Sequence, residues 1–75
     1  MRIPYHKAFE WRGEEVMVKP LLSSRERKAY HIHVPAEYVG FSSSFTYWIQ
    51  YQDADTSCDV VDIHLVGNDE IRFIR

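Results

Sequence analysis

The sequence predicts an all-β domain: six strands in a meander, curled into a small barrel or a compact sandwich, with one short helical turn near residues 35–40. Three observations point there. The chain has 75 residues, a length that supports one core and hence a single small domain spanning 1–75. Apolar and polar residues alternate with a period of two over several stretches, the signature of strands with two distinct faces. The three glycines, Gly13, Gly40 and Gly67, stand singly between such stretches, as turn residues do. An α+β arrangement with one helix, over 20–30 or 35–44, is the alternative.

The first element is read as a hairpin. A two-residue turn at Gly13-Glu14, with glycine supplying a positive φ, opposes Trp11 to Val16 and Phe9 to Val18 and avoids setting Glu10 against Glu15. A polar loop, Ser23-Ser24-Arg25-Glu26-Arg27, then leads to a strand in which Tyr30, Ile32 and Val34 alternate with Ala29, His31 and His33. Pro35 to Gly40 suits one helical turn, with proline at the start and glycine at the exit. Ser42, Ser43 and Ser44 read as a loop. Phe45, Tyr47, Ile49 and Tyr51 alternate with Thr46, Trp48 and Gln50, an aromatic and β-branched run that packs well on a pleated surface. The last hairpin turns at Gly67-Asn68-Asp69, pairing 60–66 with 70–75, so that Leu65 opposes Ile71 and Ile63 opposes Phe73. The expected core is Trp11, Val16, Val18, Ile32, Tyr47, Ile49, Ile63, Leu65 and Phe73.

Composition narrows the function. At 45% hydrophobic, 15% aromatic and 27% charged residues the chain is not a disordered one. A single cysteine, Cys58, cannot form an internal disulfide, and no secretory leader or membrane-spanning stretch is read, so a cytoplasmic protein without a membrane role is expected. The net charge of −2 divides unevenly: +3 over residues 1–34 and −5 over 35–75. Such a balance disfavours wholesale nucleic-acid binding, which needs phosphates to meet a cationic face.

The histidines offer the sharpest chemistry. His31 and His33 flank Ile32 and so leave one strand face together, about 7 Å apart along it. Asp62 and His64 repeat that spacing on another strand. Were the two strands neighbours, His31, His33, Asp62 and His64 would be a ligand set for zinc or another first-row metal. Without a fuller metal signature the four read as solvated or acid-paired side chains, and neither a metal nor any other cofactor is expected. No nucleophile elbow surrounds the serines, and no glycine-rich phosphate cradle exists. A chain of this size scarcely holds nucleophile, base, oxyanion hole and cleft together, so no enzymatic activity is expected.

What remains is surface. Two Trp, five Tyr and four Phe exceed what one small core hides. Trp48 points away from Phe45, Tyr47, Ile49 and Tyr51, which makes it an exposed anchor in this reading. Trp48, Tyr51, Arg25 and Arg27 are the expected partner-binding residues, of the types enriched at interface hot spots. Asp53, Asp55 and Asp59 add an acidic rim that sets the charge a partner presents. The expected function is a small intracellular regulator or inhibitor that binds a larger protein or assembly stoichiometrically, of the kind that serves as an accessory protein in a bacterium or phage. Arg25, Arg27 and Lys28 running into Tyr30 support the alternative of a nucleic-acid-binding barrel; a metal-binding protein is the third reading.

Overall fold

The computed structural model describes residues 1–40 and 45–74. Its elements are β1 (Arg2–Pro4), α1 (Tyr5–Glu10), β2 (Arg12–Val18), β3 (Arg27–Ile32), α2 (Ala36–Val39), β4 (Thr46–Tyr51), β5 (Val60–Asp62), β6 (His64–Gly67) and β7 (Ile71–Phe73). The all-β class holds, and so does the helical turn after Pro35: α2 ends at Gly40, whose φ of 79° closes the turn with an N–H bond to the Ala36 carbonyl at 2.7 Å. The serine loop at Ser42, Ser43 and Ser44 lies outside the described residues. No described helix is long and apolar enough to cross a membrane.

Both expected hairpins are corrected. Residues 5–10 are helix: Tyr-His-Lys-Ala-Phe-Glu contains no β-branched residue, and Tyr5, Ala8 and Phe9 fall at helical spacing, with Ala8 buried. With no strand before it, Gly13-Glu14 is not a turn. It is a bulge inside β2, since Arg12 pairs with Ile32 and Glu15 with Tyr30, which sets two residues of β2 against His31 alone. Gly13 keeps a negative φ; Gly40 has the one positive glycine φ among the described residues. At the other end, Gly67 to Glu70 does turn, closed by the Glu70 N–H to Gly67 carbonyl bond at 3.0 Å. The strands it joins nevertheless part. β6 pairs with β4, so Leu65 faces Trp48, while β7 pairs with β2, so Phe73 faces Val16 and Ile71 faces Val18. Ile63 exchanges backbone bonds with Met1 instead of facing Phe73.

The main sheet therefore runs β6-β4-β3-β2-β7, with β1 and β5 forming a separate antiparallel pair. It curls into an incomplete barrel. In a flat sheet β4 and β7 would be about 14 Å apart at the usual strand spacing, yet the Tyr47 and Phe73 rings meet at 5.3 Å. Inside the curl lie Val16, Val18, Ala29, Ile49 and Val66; on the opposite face Ile32 packs with Ile3, Ala8, Val61 and Ile63 from the small sheet and α1. Both faces of β3 are thus apolar, which is why Ala29 is as buried as Ile32. Of the expected core, Val16, Val18, Ile32, Ile49 and Ile63 are buried and Trp11 and Tyr47 half-buried. Leu65 and Phe73 are corrected to exposed, at 53% and 37%, because their strands end on opposite edges of the sheet and not against each other.

Candidate functional site

The loop before β3 and the end of β4 bring three of the expected partner-binding residues together. Arg27 opens β3 and Tyr51 ends β4, and the Arg27 guanidinium lies 3.7 Å over the Tyr51 ring. The same guanidinium donates to the Asp53 carboxylate at 2.7 Å. That hydrogen bond is the chief reason the Asp53 carboxyl is held below its ordinary value; the charges of Arg27 and Arg25 act in the same direction. Arg25, Arg27, Lys28, Gln52 and Asp53 line an open cavity of about 340 Å³. Glu26 is also there, but both its oxygens are engaged by Arg72, at 3.2 and 3.3 Å. Among the described residues Arg25 and Lys28 are left without an ion pair.

A second cavity, about 200 Å³, shares Gln52 with the first and is lined also by Phe9, Arg12, Tyr30 and Gln50. The pairing of Tyr30 with Gln50, and the Gln52 N–H bond to the Lys28 carbonyl, set these side chains side by side on β3 and β4. At its far end the Arg12 guanidinium is held between two rings, 4.6 Å from Phe9 and 4.6 Å from Tyr30. Guanidinium groups stack on aromatic faces because the ring quadrupole attracts the cation and the planar group is weakly hydrated. The two cavities adjoin at Gln52, a groove with Arg12 at one end and Arg25, Arg27 and Lys28 at the other. The sequence reading missed Arg12 and Phe9; Arg12 follows a helix that periodicity alone did not reveal, and the two approach only once Tyr5–Glu10 turns back over the sheet.

Trp48 is placed differently from expectation. It does point away from Tyr47, Ile49 and Tyr51, but the face it reaches is covered by Ile3, Ala8, Ile32, Val61 and Ile63, against which it is half-buried. The expected exposure is therefore corrected: Trp48 is half packed against this core and not a freely exposed anchor. The acidic residues are partly used within the chain. Asp55 accepts the Ser57 N–H at 2.9 Å, and its carboxyl is lowered by that bond. Asp59 is exposed, and its backbone carbonyl takes the Tyr5 N–H at 2.7 Å.

The four residues of the alternative metal set, His31, His33, Asp62 and His64, do not converge. Asp62 sits 3.7 Å from Arg2, and His64 lies against Tyr51 with ring centroids 5.2 Å apart. His31 and His33 do come together, with centroids 4.0 Å apart, and the residue that joins them is Glu14 from the bulge. One Glu14 oxygen, Oε1, lies 3.0 Å from His31 Nδ1 and 3.0 Å from His33 Nε2. Burial pushes the His31 imidazole below its usual value, the neighbouring His33 adds to this, and Glu14 opposes it. The Glu14 carboxyl is lowered first by a bond to its own backbone amide and then by His33 and the two histidine charges, against a desolvation penalty. The i,i+2 histidine spacing made half of this cluster legible; Glu14 was hidden by the assumption that it sat in a turn. No family model, curated protein or solved structure matches the chain.

Proposed function

We propose that the chain is a small cytoplasmic binding protein that regulates or inhibits a larger protein stoichiometrically, without catalysis of its own, by seating a carboxylate-bearing segment of that partner in the Arg12–Arg25 groove. The observation that carries this is the arrangement of its cations. Arg12 is fixed between Phe9 and Tyr30 and Arg27 over Tyr51, so their guanidiniums are pre-ordered. Arg25 and Lys28 add charge that is held in no ion pair among the described residues. A pre-ordered guanidinium loses less entropy per hydrogen bond formed with an incoming carboxylate. Tyr51 supplies contact area, and Asp53 borders the basic end, with Asp55 and Asp59 as further exposed acids that disfavour a partner with the wrong charge.

A protein partner is favoured over a nucleic acid by the state of the rings. Single-strand binders stack bases on open aromatic faces, whereas Phe9, Tyr30 and Tyr51 each have a face taken by an arginine. The test is capture from lysate on the immobilised chain, with nuclease added, comparing the native chain with an Arg25→Glu/Lys28→Glu variant. A retained protein that resists nuclease and is lost on charge reversal supports the proposal. Retention indifferent to the reversal, or abolished by nuclease alone, overturns it.

A further inference from the structure

We propose that Glu14, His31 and His33 form a binding site for a late first-row divalent cation, zinc being the representative, with two imidazole nitrogens and one carboxylate oxygen as protein ligands and a fourth position open to solvent. The site lies apart from the groove and does not depend on its partner.

The three donor atoms lie within 4.8 Å of one another, on side chains from β2, β3 and the residue just past the end of β3. Around a tetrahedral zinc with bonds of 2.0 to 2.1 Å, neighbouring donors stand about 3.3 Å apart. The observed 3.0 Å from Glu14 Oε1 to each nitrogen is within a few tenths of that, and the two nitrogens lie within 4.8 Å of each other, so ligation asks for side-chain adjustment and not for a move of the strands. Two imidazoles and a carboxylate are a borderline donor set, which prefers zinc, copper or nickel to the harder magnesium and calcium.

The backbone is shaped around the cluster. The bulge opposite His31 is what turns Glu14 toward the histidines, and bulges commonly re-aim a side chain in this way. Gly13, the other bulge residue, has a negative φ that an alanine would tolerate; its glycine is explained by space, since a Cβ there would lie 2.3 Å from His33 Nε2. His31 is held by ring contacts to Tyr47 at 5.3 Å and Phe73 at 5.8 Å. The His33 N–H is anchored to the Trp11 carbonyl at 2.8 Å. The His31 ring and the His33 backbone are therefore held, while the exposed flanks of Glu14 and His33, at 48% and 56%, leave an approach for the ion and a place for a water or an exogenous ligand.

The experiment is a titration of the full chain, carrying Cys58→Ser to remove the exposed thiol, with zinc chloride alone, followed by calorimetry and by the imidazole ¹⁵N resonances. The expected result is one zinc per chain, with shifts at His31 and His33 and none at His6 or His64. Millimolar magnesium should leave those resonances unmoved. Glu14→Gln keeps the size and an acceptor oxygen, and His33→Ala removes a half-exposed ring; each should weaken zinc binding by more than about a hundredfold, beyond the roughly ten- to hundredfold reach of merely supporting residues. A native-like amide spectrum of Glu14→Gln ensures that the comparison is of folded proteins. Absence of shifts at His31 and His33 up to about 1 mM zinc, far above structural-site affinities, overturns the proposal. So does binding that survives both substitutions or moves to His6 or His64.

Discussion

At Arg27 a single guanidinium serves a ring and a carboxylate at once, lying 3.7 Å over Tyr51 and 2.7 Å from Asp53. Replacing Arg27 with Gln should therefore raise the Asp53 titration midpoint toward the ordinary aspartate value, followed by the carboxyl carbon resonance through an acid titration. The sign of the linked stability follows. Because the folded midpoint lies below the unfolded one, the pair stabilises the fold above the unfolded value and ceases to as pH falls through the folded midpoint. An unmoved midpoint in Arg27→Gln would show that the bond is not formed in solution. Gly13 makes a second residue-scale prediction. In Gly13→Ala the backbone is compatible and the ring of His33 can swing into solvent, so stability should change by less than about 1 kcal/mol, the usual scale of a compatible glycine replacement. The His33 side chain should nonetheless lose Glu14, read from its Nε2 resonance. Sequence spacing foretold that His31 and His33 share a face, since period two requires it. It did not foretell Glu14, because a bulge changes the parity of every residue before it.

Element by element, the legible parts are those in which one local rule acts. β3 and β4 follow from alternation, and α2 from its flanking proline and glycine. α1 was missed because Tyr5–Glu10 is shorter than the window in which a helical period declares itself, and its stability comes from Ala8 packing on Ile3 and Val61 and not from propensity. Trp48 shows what alternation leaves open: it gives the side of the sheet a residue takes, but not whether that side is covered. Since the cover here is the small sheet and α1, Trp48→Ala should lower stability by about 2 to 4 kcal/mol, below or within the range for burying a whole aromatic. Ile63→Ala, at a fully buried site, should cost roughly 2 to 5 kcal/mol, whereas Leu65→Ala, half-exposed on an edge strand, should cost less than about 1 kcal/mol. Chemical denaturation of the three variants measures all of these; equal losses at Ile63 and Leu65 would favour the local hairpin that the structure replaces.

Over the whole molecule the pairings are mostly distant in sequence: β1 with β5, β2 with β7 and β4 with β6, leaving β2-β3-β4 as the one run of neighbours. Local hairpins are the economical expectation for a short chain, since closing a small loop costs less entropy. The observed order wins because it covers both faces of β3, giving one core inside the curl and another beneath β1, β5 and α1. The histidine cluster sits on the bulged ladder between β2 and β3, and the same ladder brings Arg12 up to Tyr30. That ladder is directly measurable by cross-strand nuclear Overhauser contacts in a labelled sample. Contacts joining Val16 with Ala29 and Glu15 with Tyr30, together with Gly13 and Glu14 both opposite His31, are the predicted result. Contacts joining Trp11 with Val16 and Glu10 with Met17 would contradict it, turning Glu14 away from the histidines and Arg12 away from Tyr30.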